Sequence, residues 1–125
     1  MSDRNQKKNI VPVDPGTILN EVDRLPISLW TYRDEPDGVR HLGPMAQDFR
    51  ARFGLGNDDK TYFAVDAQGV ALAAIQALNR AVADQQRRIE KLERDNRELA
   101  RQLRAREAGV RPRSRELARP PSIAF

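Results

Sequence analysis

Residues 75–103 read IQALNRAVADQQRRIEKLERDNRELARQL, and the spacing of their apolar side chains decides the architecture. On a seven-residue repeat, Ile75, Val82, Ile89, Asn96 and Leu103 fall at position a, and Ala71, Leu78, Gln85, Leu92 and Leu99 at position d. Seven of these ten are Ile, Leu or Val, which is the pattern of a coiled-coil seam. The other reading is an amphipathic helix lying on its own domain. It fails on length, because a helix from Asp66 to about Arg106 is too long for the remaining chain to cover. Left in water, the seam would cost on the order of 10 kcal/mol, at about 1.5–3 kcal/mol per large aliphatic side chain. Other copies of the chain are therefore expected to bury it. Ile or Val at a, Leu at d and a single Asn at a lean toward a parallel dimer, whereas Gln85 at d permits a trimer. Arg88 at g and Glu93 at the following e can pair between chains in parallel register.

Upstream of this helix the periodicity is shorter and more varied. Asp66 is placed to cap the long helix, and TYFAV, residues 61–65, reads as a short strand. In GPMAQDFRARFGLG, Pro44 can open a helix and Gly54 can close it, with Met45, Phe49 and Phe53 spaced by four on one face. ISLWTYR (27–33) alternates, DEPDG (34–38) is a turn, and VRHL (39–42) is a second strand, together a hairpin with a long loop. In DPGTILNEVDRL, Asp14 can cap a helix, Pro15 suits its first position, and Ile18, Leu19, Val22 and Leu25 form a stripe. Residues 1–13 read as an extended lead. Beyond the long helix, Gly109 and Pro112 are expected to end it, and VRPRSRELARPPSIAF reads as a mostly disordered tail.

Composition narrows the function classes. The chain has 125 residues, 39% hydrophobic and 32% charged, with no cysteine, so disulfides and thiolate metal sites are excluded. MSDRNQKK has no apolar run behind its charges and does not read as a secretory signal. No window approaches a membrane span. The net charge is +4, but it is uneven. Residues 1–79 hold 9 Lys/Arg against 11 Asp/Glu, and residues 80–119 hold 13 against 7. A basic third suggests nucleic acid, although a solvated helix face is the commoner meaning.

The order of the pieces carries a resemblance: SDRNxK, LPIxxWxY, HLGPMAQDF, FGLGxDD and VDxxGVALAAIQALN, followed by a coiled coil. Over residues 2 to about 105 the chain resembles the C-terminal intramolecular chaperone auto-processing domain, a self-cleaving peptidase, of phage tail fibres, tailspikes and endosialidases. The resemblance implies a homotrimer that sets the register of an upstream fibre domain and then cuts itself free before a serine. It implies that Ser2 is the nucleophile and Lys7, five residues on, the general base; Lys8 does not match the lysine position. The chemistry is consistent with those residue types. A serine hydroxyl needs a base, and a desolvated lysine can serve. Five residues would set the pair about 140° apart on an α-helix, so the segment must bend or extend. Only Met1 precedes Ser2, so the cut is expected to belong to a longer parent, with no substrate left in this chain.

Other candidates read more plainly. His41 is the one histidine and is expected to be a packed or hydrogen-bonded loop residue, with a supporting role implied by the family's HxG stretch. Trp30, Tyr32, Phe49, Phe53 and Phe63 are expected in the core, some of them facing the fibre instead. Asp58 and Asp59 lack the spacing of a calcium loop, and GLG lacks the context of a phosphate loop.

The resulting expectation is an α+β fold. A small helix–hairpin–helix–strand head, residues 1–66, feeds a coiled-coil helix, 67–107, that forms a parallel trimer, with a disordered Arg/Pro-rich tail at 108–125. The function implied is an intramolecular chaperone of a trimeric fibre and a single-turnover self-cleaving serine endopeptidase. No cofactor, metal or membrane is involved, and the place is a virion tail fibre or bacterial fibre precursor folded in the host cytoplasm. The runner-up is a coiled-coil oligomerisation protein that binds nucleic acid non-specifically through its basic third. A leucine-zipper DNA reader carries its basic region before the zipper, whereas Arg111, Arg113, Arg115 and Arg119 come after it.

Overall fold

The computed structural model describes the backbone of residues 1–117 and the side chains of residues 1–109. After a single 3-10 turn at Arg4–Gln6 come helix α1 (Pro15–Arg24), strand β1 (Ser28–Trp30), strand β2 (His41–Gly43), helix α2 (Ala46–Phe53) and helix α3 (Ala64–Leu117). The chain divides into two units, Met1–Ala81 and Val82–Phe125. Among the described residues no helix is long and apolar enough to cross a membrane.

Helix α1 begins where its residue types favour it. The Asp14 carboxylate accepts hydrogen bonds from the Gly16 N–H at 3.1 Å and the Thr17 hydroxyl at 2.9 Å, and Pro15 takes a position whose N–H has no helical partner. Those bonds, the Thr17 hydroxyl first, hold the Asp14 carboxyl below its ordinary value of 3.8. A carboxylate depressed in the fold stabilises it above its unfolded value and loses that effect as pH falls through the folded value. The Gly16 amide resonance is therefore expected to shift as pH is lowered below about 3.8, and D14N should abolish that shift.

The hairpin pairs β1 with β2 antiparallel, Ser28 opposite Gly43, Leu29 opposite Leu42 and Trp30 opposite His41. Strand alternation puts Leu29 and Leu42 on one face and Trp30 and His41 on the other. The first pair is exposed. Helix α2 closes on Gly54, whose φ of 62° is the left-handed conformation that glycine adopts without strain. Its Phe49 is 2% exposed, stacked on Tyr62 at 4.8 Å and tilted against Phe53 at 5.0 Å. Arg52 of α2 reaches Glu21 of α1 at 3.3 Å. Phe49→Ala should lower stability by about 3–5 kcal/mol, read as the urea-unfolding free energy of the folded chain.

Three expectations are corrected here. TYFAV forms no strand, and among the described residues the sheet has two strands. The Asp58 carboxylate takes the N–H groups of Lys60 and Thr61 at 2.9 and 3.0 Å, so the segment is held by a side chain instead of a ladder. Tyr62 then packs on Phe49, while Phe63 and Tyr32 stay more than half exposed and outside the core. Second, α3 starts at Ala64, with the N–H groups of Asp66 and Ala67 donating to the Phe63 carbonyl. Asp66 lies in the first turn, not at the cap; a carboxylate is favoured near a helix N-terminus in either place. Third, α3 continues past Gly109 and Pro112 to Leu117. A glycine and a proline each weaken a helix by about 1 and 3 kcal/mol, but strong helix formers flank both. The last part of the expected tail, 118–125, lies outside the described residues.

The first turns of α3 show why the seam is free. Val70, Ala74 and Ala77 are buried in the first unit. Each precedes a seam residue, Ala71, Ile75 and Leu78, by one position, about 100° around the helix. The helix thus docks through its small residues and leaves the larger ones in solvent. Ile75, Leu78, Val82, Ile89, Leu92, Leu99 and Leu103 are 49–62% exposed.

Candidate active site

Ser2 and Lys7 meet through the turn between them. The Asp3 carboxylate accepts the Asn5 N–H at 2.9 Å and caps the 3-10 turn, whose two closing bonds run from Gln6 N–H to Asp3 O and from Lys7 N–H to Arg4 O. A 3-10 turn is tighter than an α-turn, and Lys7 leaves it in extended conformation. The pair is thereby folded together instead of lying 140° apart. The Lys7 Nζ donates to the Ser2 Oγ at 2.7 Å. Lys7, not Lys8, reaches the hydroxyl. Both side chains are exposed, so in one copy of the chain the pair is open to water. A lysine base must be uncharged when it takes a proton, and removal of water favours that form of an amine.

A second cluster sits on the hairpin. His41 stacks on Trp30 with ring centroids 4.7 Å apart, and Tyr32 packs edge-on to both. The His41 Nε2 lies 2.9 Å from the Glu35 carboxylate, which also accepts the Tyr32 N–H at 3.2 Å. His41 is therefore hydrogen-bonded as anticipated, but in a strand, not a loop. Glu35 was not singled out from the sequence. The signal was present: an acid in the DEPDG turn, six residues before the histidine, is placed to close the hairpin loop across its base. Among the described residues no three His, Cys, Asp or Glu side chains gather as a metal site.

Comparison with protein families matches residues 2–54 to the family described as chaperone of endosialidase. The matched stretch contains Ser2, Lys7, α1, both strands and α2. Over these residues the chain is similar to that family, which supports an intramolecular chaperone domain in this part of the chain. A second family, described as SlyX, matches residues 71–121, within and just beyond α3. A search of curated proteins finds no match.

Proposed function

We propose that the chain is the intramolecular chaperone of a fibrous, phage-tail-type parent, which trimerises along α3, holds three upstream chains in register as they fold, and cuts itself free before Ser2. The observation that carries this reading is the 2.7 Å contact of Lys7 Nζ with Ser2 Oγ, inside the stretch that matches the chaperone of endosialidase. The exposed seam supports association. So does the small core, since Phe49, Val70, Ala74 and Ala77 are the buried apolar residues among those described. A unit of this size needs more buried surface than three small aliphatics and one ring supply.

The cut follows from the pair's chemistry. Neutral Lys7 takes the Ser2 hydroxyl proton, and Oγ attacks the carbonyl carbon of the residue before it. The C–N bond breaks as Lys7 returns the proton to the Ser2 nitrogen, which leaves the upstream acyl group as an ester on Oγ. Water then hydrolyses the ester to an upstream carboxylate and restores the hydroxyl. The open position of the pair in one chain supports a reaction coupled to assembly, in which neighbouring chains would exclude water from it. The test is to place the natural upstream sequence ahead of Ser2 and express the fusion. Two fragments divided at that bond support the reading, and an intact trimeric fusion contradicts it.

Asn96 is a polar residue at an a position, which specifies register at a cost in stability. Asn96→Ile should raise the unfolding midpoint of the oligomer and weaken its register, read by thermal melts at several protein concentrations and by disulfide cross-linking of cysteines introduced in pairs. The second reading, non-specific nucleic-acid binding, is disfavoured by the helix's own ion pairs: Arg87 with Asp84, Lys91 with Asp95 and Arg101 with Glu98. These neutralise part of its positive charge. It would require a salt-sensitive gel shift that disappears on deletion of residues 108–125.

A further inference from the structure

Helix α3 carries a second apolar stripe beside its seam. Within the first unit, the e positions of the repeat include Val65 and Leu72, two turns apart on one face of the helix. They keep 67% and 65% of their surface in solvent. The first unit packs on the other side of the helix. There Ala67, Val70, Ala74, Ala77 and Ala81, at positions c and g, are buried or half-buried, about 160° around from e. The chain's own packing therefore leaves the stripe uncovered.

The register of the repeat selects the occupant. Along the first unit the g positions are Ala67, Ala74 and Ala81; beyond it they are Arg88, Asp95 and Gln102. The e positions change in step, from Val65 and Leu72 to Asn79, Gln86 and Glu93. A coiled-coil seam needs apolar residues at a and d alone, and an apolar e marks a wider buried face. That widening coincides with the turns that carry the first unit. In parallel register, g of one helix faces the e five residues further on in its neighbour, so Leu72 meets the neighbour's position 67. The alanine there is small enough to admit a leucine, and the neighbour's own unit packs against that flank. We infer that Val65 and Leu72 dock on a second copy of this chain, against the alanine flank of its α3 and the edge of the unit covering that flank. Each first unit is then held by two helices, its own and a neighbour's. The inference rests on the proposed parallel association along α3 and deepens it: the seam joins the helices, and the stripe fixes the units that carry Ser2 and Lys7.

The test is the full chain carrying Val65→Glu with Leu72→Glu. Glutamate is a good helix former, and a carboxylate near the start of α3 is favoured by the helix dipole. On an open stripe the two changes should leave stability unchanged or raise it. On a docked stripe they should lower the urea midpoint of the first unit by on the order of 1 M. Fluorescence of Trp30, the one tryptophan, reads that midpoint. Sedimentation should still give the parent's mass, because the seam from Val82 to Leu103 is untouched. Gln76→Glu, exposed and off the stripe, should shift nothing. The partner is identified by cross-linking. The chain has no cysteine, so Ala67→Cys with Leu72→Cys introduces the only thiols. They lie about 140° apart on one helix, too distant to bridge within a chain, and oxidation should give covalent oligomers. Arg88→Cys with Glu93→Cys should bridge in the same way through the seam. Bridging at 88 and 93 but not at 67 and 72, or an unmoved midpoint in the glutamate variant, overturns the docked stripe and leaves association standing. A parent that sediments as a single chain, with bridging at neither pair, overturns association itself and the stripe with it.

Discussion

Ser2→Ala in the fusion with its natural upstream sequence is expected to leave a single uncut band, while the particle size stays that of the uncut oligomer. In the proposed mechanism Ser2 supplies the attacking oxygen, and among the described residues no other hydroxyl is held by Lys7. Loss of a nucleophile in such a unit slows the chemical step by at least ~10³-fold, which on the time scale of expression is no cutting at all. Lys7→Ala should do the same, because the hydroxyl is a poor nucleophile without a base. Lys7→Arg should also fail: a guanidinium could occupy the site but stays protonated. Lys8→Ala should cut normally, since Lys8 makes no contact with the hydroxyl. Both Ser2 and Lys7 are exposed and lie outside the Phe49 cluster, so the uncut proteins should fold and melt like the parent. Gel electrophoresis and mass spectrometry of the fragments read the result. A Ser2→Ala protein still cut at the same bond would remove Ser2 from the mechanism.

The second large effect lies in the seam. Ile89→Asp with Leu92→Asp removes two apolar side chains per chain and sets a carboxylate at each site. If three chains bury those positions, six aliphatic side chains are lost at about 1.5–3 kcal/mol each, roughly 9–18 kcal/mol per assembly before the charges are counted. That is comparable to, or larger than, the whole stability of a small domain, about 5–15 kcal/mol. The doubly substituted chain should sediment as a monomer. In the fusion it should also cut poorly, because the site is then never shielded from water by its neighbours. The paired outcome separates this account from one in which α3 is only a solvated arm. There, sedimentation and cutting would both be unchanged, because Ile89 and Leu92 are already 49% and 56% exposed in the single chain.

Much of the fold was legible because its signals are local. Asp14 and Pro15 mark the start of α1, Gly54 marks the end of α2, and the alternation around Leu29 and Trp30 marks β1. Each depends on neighbours a few residues away. What could not be read depends on contacts between distant segments. TYFAV has the composition of a strand, but a strand needs an edge to pair with, and the Phe49 ring instead drew Tyr62 into a stack. The end of α3 was misplaced because Gly109 and Pro112 were weighed as punctuation without the helix formers on both sides. The Ser2–Lys7 pair was placed by the resemblance, since two such residues five apart in a polar lead have no meaning by themselves. Their contact was visible only once the Asp3-capped turn was known. The Glu35–His41 pair was legible only in part: the acid in the DEPDG turn and the histidine six residues on were both visible, but their contact depends on how the hairpin loop closes.

Three parallel copies joined along α3 are the centre of this account, and sedimentation equilibrium on the purified chain measures them directly. At a chain mass of 14.2 kDa, the account predicts one species near 43 kDa, three times that value, across a range of loading concentrations. A stable species at the mass of one chain, unchanged as concentration rises, would contradict it.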